Sequence, residues 1–132
     1  METFSNQLTV NPAPAHVALV HGQDRVENIR AAVSAVIDEL PWKSYRSVVI
    51  KPNLVIYDAP LAVTHRDTLD AVLALVRTRY AGKLTIAEGC ACQETTKAFQ
   101  FHGYTQLARQ YDCALVDLNG DQVTEVETLR RD

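Results

Sequence analysis

Short apolar runs alternate with segments of helical periodicity through most of the chain. Four of these runs predict β-strands, because they are brief, rich in β-branched or aliphatic residues and closed by polar residues or glycine. A fifth segment alternates polar and apolar residues and predicts an additional edge strand or hairpin. In chain order these five segments are His16–His21, Ser47–Lys51, Lys83–Glu88, Cys113–Asp117 and Gln122–Glu127.

The intervals between the first four segments have apolar residues at helical spacing. The first interval predicts a helix over about Arg25–Leu40, which Pro41 ends. The second predicts a helix for which Thr64 is the expected N-cap residue. The third predicts a helix over Thr95–Phe101 and a further short helix after a break near Gly103.

This alternating order of strands and helices predicts the α/β class. We expect a three-layer, mostly parallel, Rossmann-like sheet of 4–5 strands with helices on both faces. Residues 1–15 contain two prolines and predict a mobile lead-in, and residues 16–132 predict a single α/β domain.

Composition and charge argue against two classes of binding partner. The chain has 132 residues and a net charge of −3, with no basic stripe, which argues against a nucleic-acid partner. No apolar run approaches the length of a membrane span, so we expect no membrane partner. The three cysteines are an odd number at low density, which favours a reducing, cytoplasmic location.

Polar side chains follow the predicted strands at the edge where parallel sheets bind ligands. The candidate ligand-binding residues are Lys51, Asn53, Thr64, His65 and Glu88. Lys51 supplies a positive charge, and helix N-termini at the same edge offer backbone N–H groups. The sequence therefore predicts a site for a small anion, either a carboxylate or a phosphate.

Each of these residues also has a purely structural interpretation. Lys51 ends a strand where water is close, or it pairs with Glu88. Asn53 is a common turn former, Thr64 is a common N-cap, and His65 is expected to be exposed in the first turn of a helix. The sequence leaves these alternatives open.

A second constellation is a weak candidate for a metal site. Cys90, Cys92 and His102 offer two thiolates and one imidazole, but no second cysteine pair completes a zinc site. Cys113 opens a predicted strand and is expected in the core. The chain also lacks the G-x-x-x-x-G-K-[ST] phosphate loop and the G-x-G-x-x-G fingerprint, so the common nucleotide-binding signatures are absent.

Several motifs occur in order at the spacing of a known family. They are VVIKPNL (48–54), the Thr64–His65 pair, TIAEG (85–89) and AFQFHGYTQLARQY–CALVDLNGD (98–121). The chain resembles the N-terminal part of the domain of unknown function family 362, whose members are often iron–sulfur-associated proteins. The resemblance implies a larger family domain and an iron–sulfur cluster in full-length relatives. We expect no cofactor in this chain, since three cysteines cannot build a four-cysteine cluster.

Three functions remain open at this point. The first is the binding of a small anionic ligand by part of a cytoplasmic enzyme. The second is a redox accessory module that works with an iron–sulfur segment absent from this chain. The third is a non-catalytic interaction domain. We also expect a homodimer, because apolar surface and sheet edges would be left uncovered.

Overall fold

The computed structural model describes residues 15–91 and 94–122, which form four α-helices and three β-strands. Two of the strands match their predictions to within one residue, and the third, Lys83–Glu88, matches at both ends. The helices Thr95–Phe101 and Tyr104–Gln110 are also confirmed. In chain order the elements are α1 (Arg25–Ser34), β1 (Ser47–Ile50), α2 (Arg66–Arg77), β2 (Lys83–Glu88), α3 (Thr95–Phe101), α4 (Tyr104–Gln110) and β3 (Ala114–Asp117).

The three strands form a parallel sheet in the order β1-β2-β3. Ile86 at the centre of β2 pairs with Ile50 on one side and with Leu115 on the other. This register places the carboxyl ends of the strands at one edge of the sheet. The mixed α/β class and the parallel sheet are therefore confirmed.

One face of the sheet carries the hydrophobic core. Side chains alternate between the faces of a strand, so Val48 and Ile50 of β1 point the same way, and both pack against the core. The helices contribute Leu73 of α2 and Leu107 of α4, each fully buried. Val49 lies between Val48 and Ile50 and points to the opposite face, where it is 59% exposed.

The break between α3 and α4 is made by a glycine. Gly103 adopts a positive φ of 75° and is the N-cap residue of α4. A Cβ at this position would lie 2.9 Å from Cδ of Arg66. Backbone conformation and space therefore both favour glycine here.

The predicted strand His16–His21 is wrong. The structure shows no regular secondary structure there, and Val17 and Leu19 are 87% and 94% exposed. A β-branched run forms a strand only where a neighbouring strand accepts its backbone. Here the segment is held instead by side chains at its ends, since Nδ1 of His16 lies 2.6 Å from Glu39 and Nδ2 of Asn28 donates to the Gly22 carbonyl.

The first helix is shorter than predicted. It ends at Ser34, and a 3₁₀ turn at Ile37–Glu39 replaces its last turns. Leu40 precedes Pro41 and is extended, as proline requires of the residue before it. The indole N–H of Trp42 donates to the Ile37 carbonyl at 2.7 Å, which turns the chain toward β1.

Two expectations concern residues outside the described ranges. The mobile lead-in falls on residues 1–15, of which only Ala15 is described, and the edge strand Gln122–Glu127 has only Gln122 described. The 4–5 strands, the helices on both faces and the Rossmann-like three-layer form stay predictions. Within residues 15–91 and 94–122, no helix is long and apolar enough to cross a membrane.

Candidate functional site

The ends of β1 and β2 bring Lys51 and Glu88 together. Nζ of Lys51 lies 2.5 Å from Oε2 of Glu88, and the other carboxylate oxygen accepts the Gly89 N–H at 2.8 Å. The Glu88 side chain is only 8% exposed, whereas the Lys51 side chain is 61% exposed. The pairing interpretation of Lys51 is therefore the one that the structure supports.

Tyr104 lies beside this pair. Its ring is fully buried in the core, and its hydroxyl donates to the Thr64 carbonyl. Burial, followed by the negative charge of Glu88, raises the pKa of Tyr104 to about 12. The hydroxyl is therefore protonated at neutral pH and acts as a fixed hydrogen-bond donor.

Asn53 and Thr64 close a loop between β1 and α2. The Asn53 N–H donates to Oγ1 of Thr64 at 2.9 Å, and the Thr64 N–H donates to the Asn53 carbonyl at 2.8 Å. Nδ2 of Asn53 also donates to the Ala62 carbonyl at 2.9 Å. An antiparallel bridge between Leu54 and Val63 lies just inside this closure. We call residues 54–63 the clasped loop.

The N-cap of α2 is His65 and not Thr64, so that prediction is wrong by one residue. Nδ1 of His65 accepts the Asp67 N–H at 3.2 Å, which leaves the proton of the neutral ring on Nε2. Thr64 is unavailable as the cap because its hydroxyl accepts the Asn53 N–H. The imidazole caps the helix and is about half exposed.

Thr64 and His65 line a cleft of about 650 Å³ that the sequence did not predict. The first residues of α1 and α2 meet there, which brings in Arg25 and Thr68. We call it the α1–α2 cleft. Its complete lining is Arg25, Pro60, Leu61, Val63, Thr64, His65 and Thr68.

Arg25 is the residue that the sequence analysis missed. It is the first residue of α1, where a positive charge opposes the helix dipole. Its closest anionic partner in the described part of the chain is Asp67, at 3.8 Å, which is too far for a hydrogen bond. An arginine at an unfavourable helix position was the one signal that could have pointed to it.

The candidate residues thus separate into two groups. Thr64 and His65 belong to the α1–α2 cleft, while Lys51 and Glu88 form an ion pair at the neighbouring strand ends. Asn53 closes the clasped loop through its hydrogen bonds with Thr64 and belongs to neither group.

The metal hypothesis rests on residues that are only partly described. Sγ of Cys90 is buried and donates to the Val55 carbonyl at 3.3 Å, and Cys92 lies outside the described residues. Nε2 of His102 is buried without a hydrogen-bond partner among the described atoms. Residues 15–91 and 94–122 contain no group of three or more His, Cys, Asp or Glu placed to hold a metal. The Cys90, Cys92 and His102 site stays a prediction.

An iron–sulfur cluster does not fit the cysteines that are described. Cys90 follows the carboxyl end of β2, and Cys113 precedes the amino end of β3. Because Thr85 pairs with Ala114 and Glu88 with Asp117 in parallel register, the two cysteines lie at opposite edges of the sheet. The strand between those edges spans on the order of 10 Å, too far for two ligands of one cluster.

A partly buried hydrogen-bond network joins the turns after β2 and β3. Nδ2 of Asn119 donates to the Cys90 carbonyl at 2.8 Å and lies 3.2 Å from Oγ1 of Thr95. The same Thr95 hydroxyl accepts the Cys90 N–H at 3.0 Å. The Asn119 side chain therefore links the turn after β3 to the segment after β2.

A family profile described as Domain of unknown function (DUF362) matches residues 48–131. The chain belongs to this family. No curated protein and no solved structure matches the chain.

Proposed function

We propose that the α1–α2 cleft binds a small anion, either a phosphate or a carboxylate. The observation that carries this proposal is the convergence of Arg25, Thr64, His65 and Thr68 in one cleft. These side chains offer a guanidinium, two hydroxyls and an imidazole, which are the donors that recognise phosphate and carboxylate groups. The sequence placed an anion at the carboxyl edge of the sheet, and this cleft lies at the start of the helix that follows β1.

The charges around the cleft favour binding of an anion through Arg25. The 3.8 Å separation from Asp67 makes their ion pair weak, and both side chains are about half exposed. A phosphate or carboxylate would accept two N–H groups from the guanidinium, which is a stronger arrangement than the existing contact. Asp67 would repel the anion and limits its affinity.

Lys51 has a secondary part in this proposal. Its ammonium is committed to the buried carboxylate of Glu88. We therefore assign it the neutralisation of Glu88, with only a long-range contribution to an anion in the cleft. Glu88, in turn, is a structural carboxylate at the end of β2.

The other two functions have less support. A redox accessory role depends on an iron–sulfur segment supplied from elsewhere, and no contact among the described residues supports it. A non-catalytic interaction domain is supported only by exposed apolar side chains that are scattered over the surface. We retain the binding of a small anion within a cytoplasmic enzyme as the working function, without assigning a reaction.

A thermal-shift screen tests the anion proposal. Inorganic phosphate and acetate should raise the melting temperature of the wild-type chain, since a ligand that binds only the folded state stabilises it. Arg25→Gln should lose most of this shift, and Arg46→Gln, an exposed arginine before β1, should keep it. The same shift in Arg25→Gln as in the wild type would place any bound anion elsewhere.

We also propose that two copies associate through the sheet. Val49 is exposed on the face opposite the core, and β1 has one edge unpaired among the described residues. Association there would cover apolar surface and would extend the sheet toward the 4–5 strands and second covered face of a Rossmann-like fold. Light scattering of the wild type and of Val49→Lys tests this, because the charged variant should shift the population to monomer.

A further inference from the structure

We propose that the anion preferred by the α1–α2 cleft carries an apolar substituent, as in an alkyl or aryl phosphate monoester or a medium-length acyl carboxylate. This inference rests on the proposed anion site and names the class of ligand that the site would select. Its basis is the apolar part of the cleft lining.

One side of the cleft is apolar. Pro60, Leu61 and Val63 all come from the clasped loop and line the same cleft as Arg25. Leu61 is fully exposed to solvent. A single exposed leucine is common, but three apolar side chains that share a concave surface with a guanidinium form an amphipathic site.

The apolar wall is held in place before any ligand arrives. Its two ends are joined by the hydrogen bonds between Asn53 and Thr64, and its centre is fixed by Nδ2 of Asn53, which donates to the Ala62 carbonyl at 2.9 Å. The Ala62 N–H also donates to the Ala59 carbonyl at 2.9 Å, which forms a further turn. A wall fixed in this way loses little entropy on binding, so burial of apolar surface against it contributes to affinity.

The size of the cleft also favours a larger ligand. Its volume of about 650 Å³ lies in the range of sites for drug-sized molecules. An inorganic phosphate bound at Arg25 would leave most of that volume, including the surface of Leu61, in contact with water. An alkyl group on the phosphate would cover that surface, and each methylene that becomes fully buried raises affinity about fourfold.

Calorimetric titration of the full chain tests the inference with inorganic phosphate, ethyl phosphate and butyl phosphate. We expect butyl phosphate to bind at least about tenfold more tightly than inorganic phosphate, with ethyl phosphate between them. Hexanoate should exceed acetate in the same way. Leu61→Ser should remove the gain from the butyl group, so that butyl phosphate binds about as tightly as inorganic phosphate.

The matched control is Leu118→Ser, which alters a partly exposed leucine in the turn after β3. This variant should still bind butyl phosphate more tightly than inorganic phosphate. If Leu118→Ser lost that difference, the butyl group would be adsorbing non-specifically, and the inference would be overturned. Equal affinities for inorganic and butyl phosphate that both depend on Arg25 would overturn the inference and leave the anion site intact. Absence of binding by all three phosphates and by both carboxylates would overturn the anion site itself.

Discussion

Lys51 and Glu88 form an ion pair in which the carboxylate is buried and the ammonium faces water. Parallel pairing of β1 and β2 brings the ends of both strands to the carboxyl edge, where 2.5 Å separates Nζ of Lys51 from Oε2 of Glu88. Burial of a carboxylate is costly unless a counter-charge or hydrogen bonds compensate the loss of water. The pair therefore explains why a lysine follows the apolar strand β1.

The ion pair predicts that Lys51→Met is destabilising. Loss of the ammonium leaves Glu88 with the Gly89 N–H as its remaining hydrogen bond. Because the lysine is exposed and solvent screens the pair, we expect a loss of about 1–2 kcal/mol in the free energy of unfolding. Urea denaturation measures it.

Two further variants complete this experiment. Lys83→Met, at the exposed start of the strand β2 that ends at Glu88, should change stability by less than about 0.5 kcal/mol. Adding Glu88→Gln to Lys51→Met should recover part of the loss, because no buried charge then remains. A double variant no more stable than the single variant would contradict a stabilising ion pair.

The closure of the clasped loop predicts an effect of Thr64→Val. Valine keeps the shape of the side chain but removes the oxygen that accepts the Asn53 N–H at 2.9 Å. We expect a loss of about 1 kcal/mol in stability and faster hydrogen exchange of the Asn53 amide. Thr96→Val, at an exposed position of α3, is the control and should change neither quantity. Unchanged exchange at Asn53 would show that the loop does not depend on this bond.

The packing of Asn119 over Gly89 predicts a large difference between two glycine substitutions. A Cβ at Gly89 would lie 2.7 Å from Oδ1 of Asn119, whereas a Cβ at Gly120 would meet nothing within 4 Å. Gly89→Ala should therefore displace the hydrogen-bond network and cost about 1–3 kcal/mol, and Gly120→Ala should cost less than about 0.5 kcal/mol. Thermal melts of the two variants give the comparison. Equal melting temperatures would mean that Asn119 is not fixed against Gly89.

The raised pKa of Tyr104 predicts a loss of stability in alkali. Folding raises this pKa from 10.0 to about 12, so between these values the folded chain retains a proton that the unfolded chain has lost. The free energy of unfolding should therefore be largest below pH 10 and fall as the pH rises toward 12. Tyr111, whose pKa burial and the Asp70 hydrogen bond also raise to about 12, adds a fall in the same direction.

Urea denaturation between pH 9 and pH 11 checks this dependence. Tyr104→Phe should lower stability at pH 9, because the hydrogen bond to the Thr64 carbonyl is lost, and it should also have a shallower decline above pH 10. Tyr45→Phe, at a more exposed ring, is the control. An identical decline in wild type and Tyr104→Phe would contradict the contribution of Tyr104.

Local sequence signals predicted the elements wherever tertiary contacts agreed with them. Lys83–Glu88 was predicted exactly because its apolar run is bounded by a charge and by Gly89, and it became the central strand. His16–His21 has the same local pattern, yet no neighbouring strand accepts it, so propensity alone gave the wrong result. Self-association and the complete sheet depend on contacts between distant or separate segments, and they stay predictions.

The sequence also predicted only part of the candidate site, because it carries local signals but not the contacts between distant segments. The sequence identified Thr64 and His65, because a helix start after a strand is a recognisable ligand-binding position. It missed Arg25, since α1 reaches the cleft only through its packing beside α2. It placed the anion nearest to Lys51, although the alignment of β1 with β2 gives that lysine to Glu88.

The binding of a small anion in the α1–α2 cleft is the central claim, and amide chemical-shift mapping by nuclear magnetic resonance tests it most directly. On titration with inorganic phosphate, the largest shifts should occur at Arg25 and at residues 64–68, with small shifts at Lys51 and Glu88. Arg25→Gln should lose these shifts while its spectrum remains that of a folded chain. Phosphate-induced shifts centred on Lys51, or shifts of equal size in Arg25→Gln, would contradict the account.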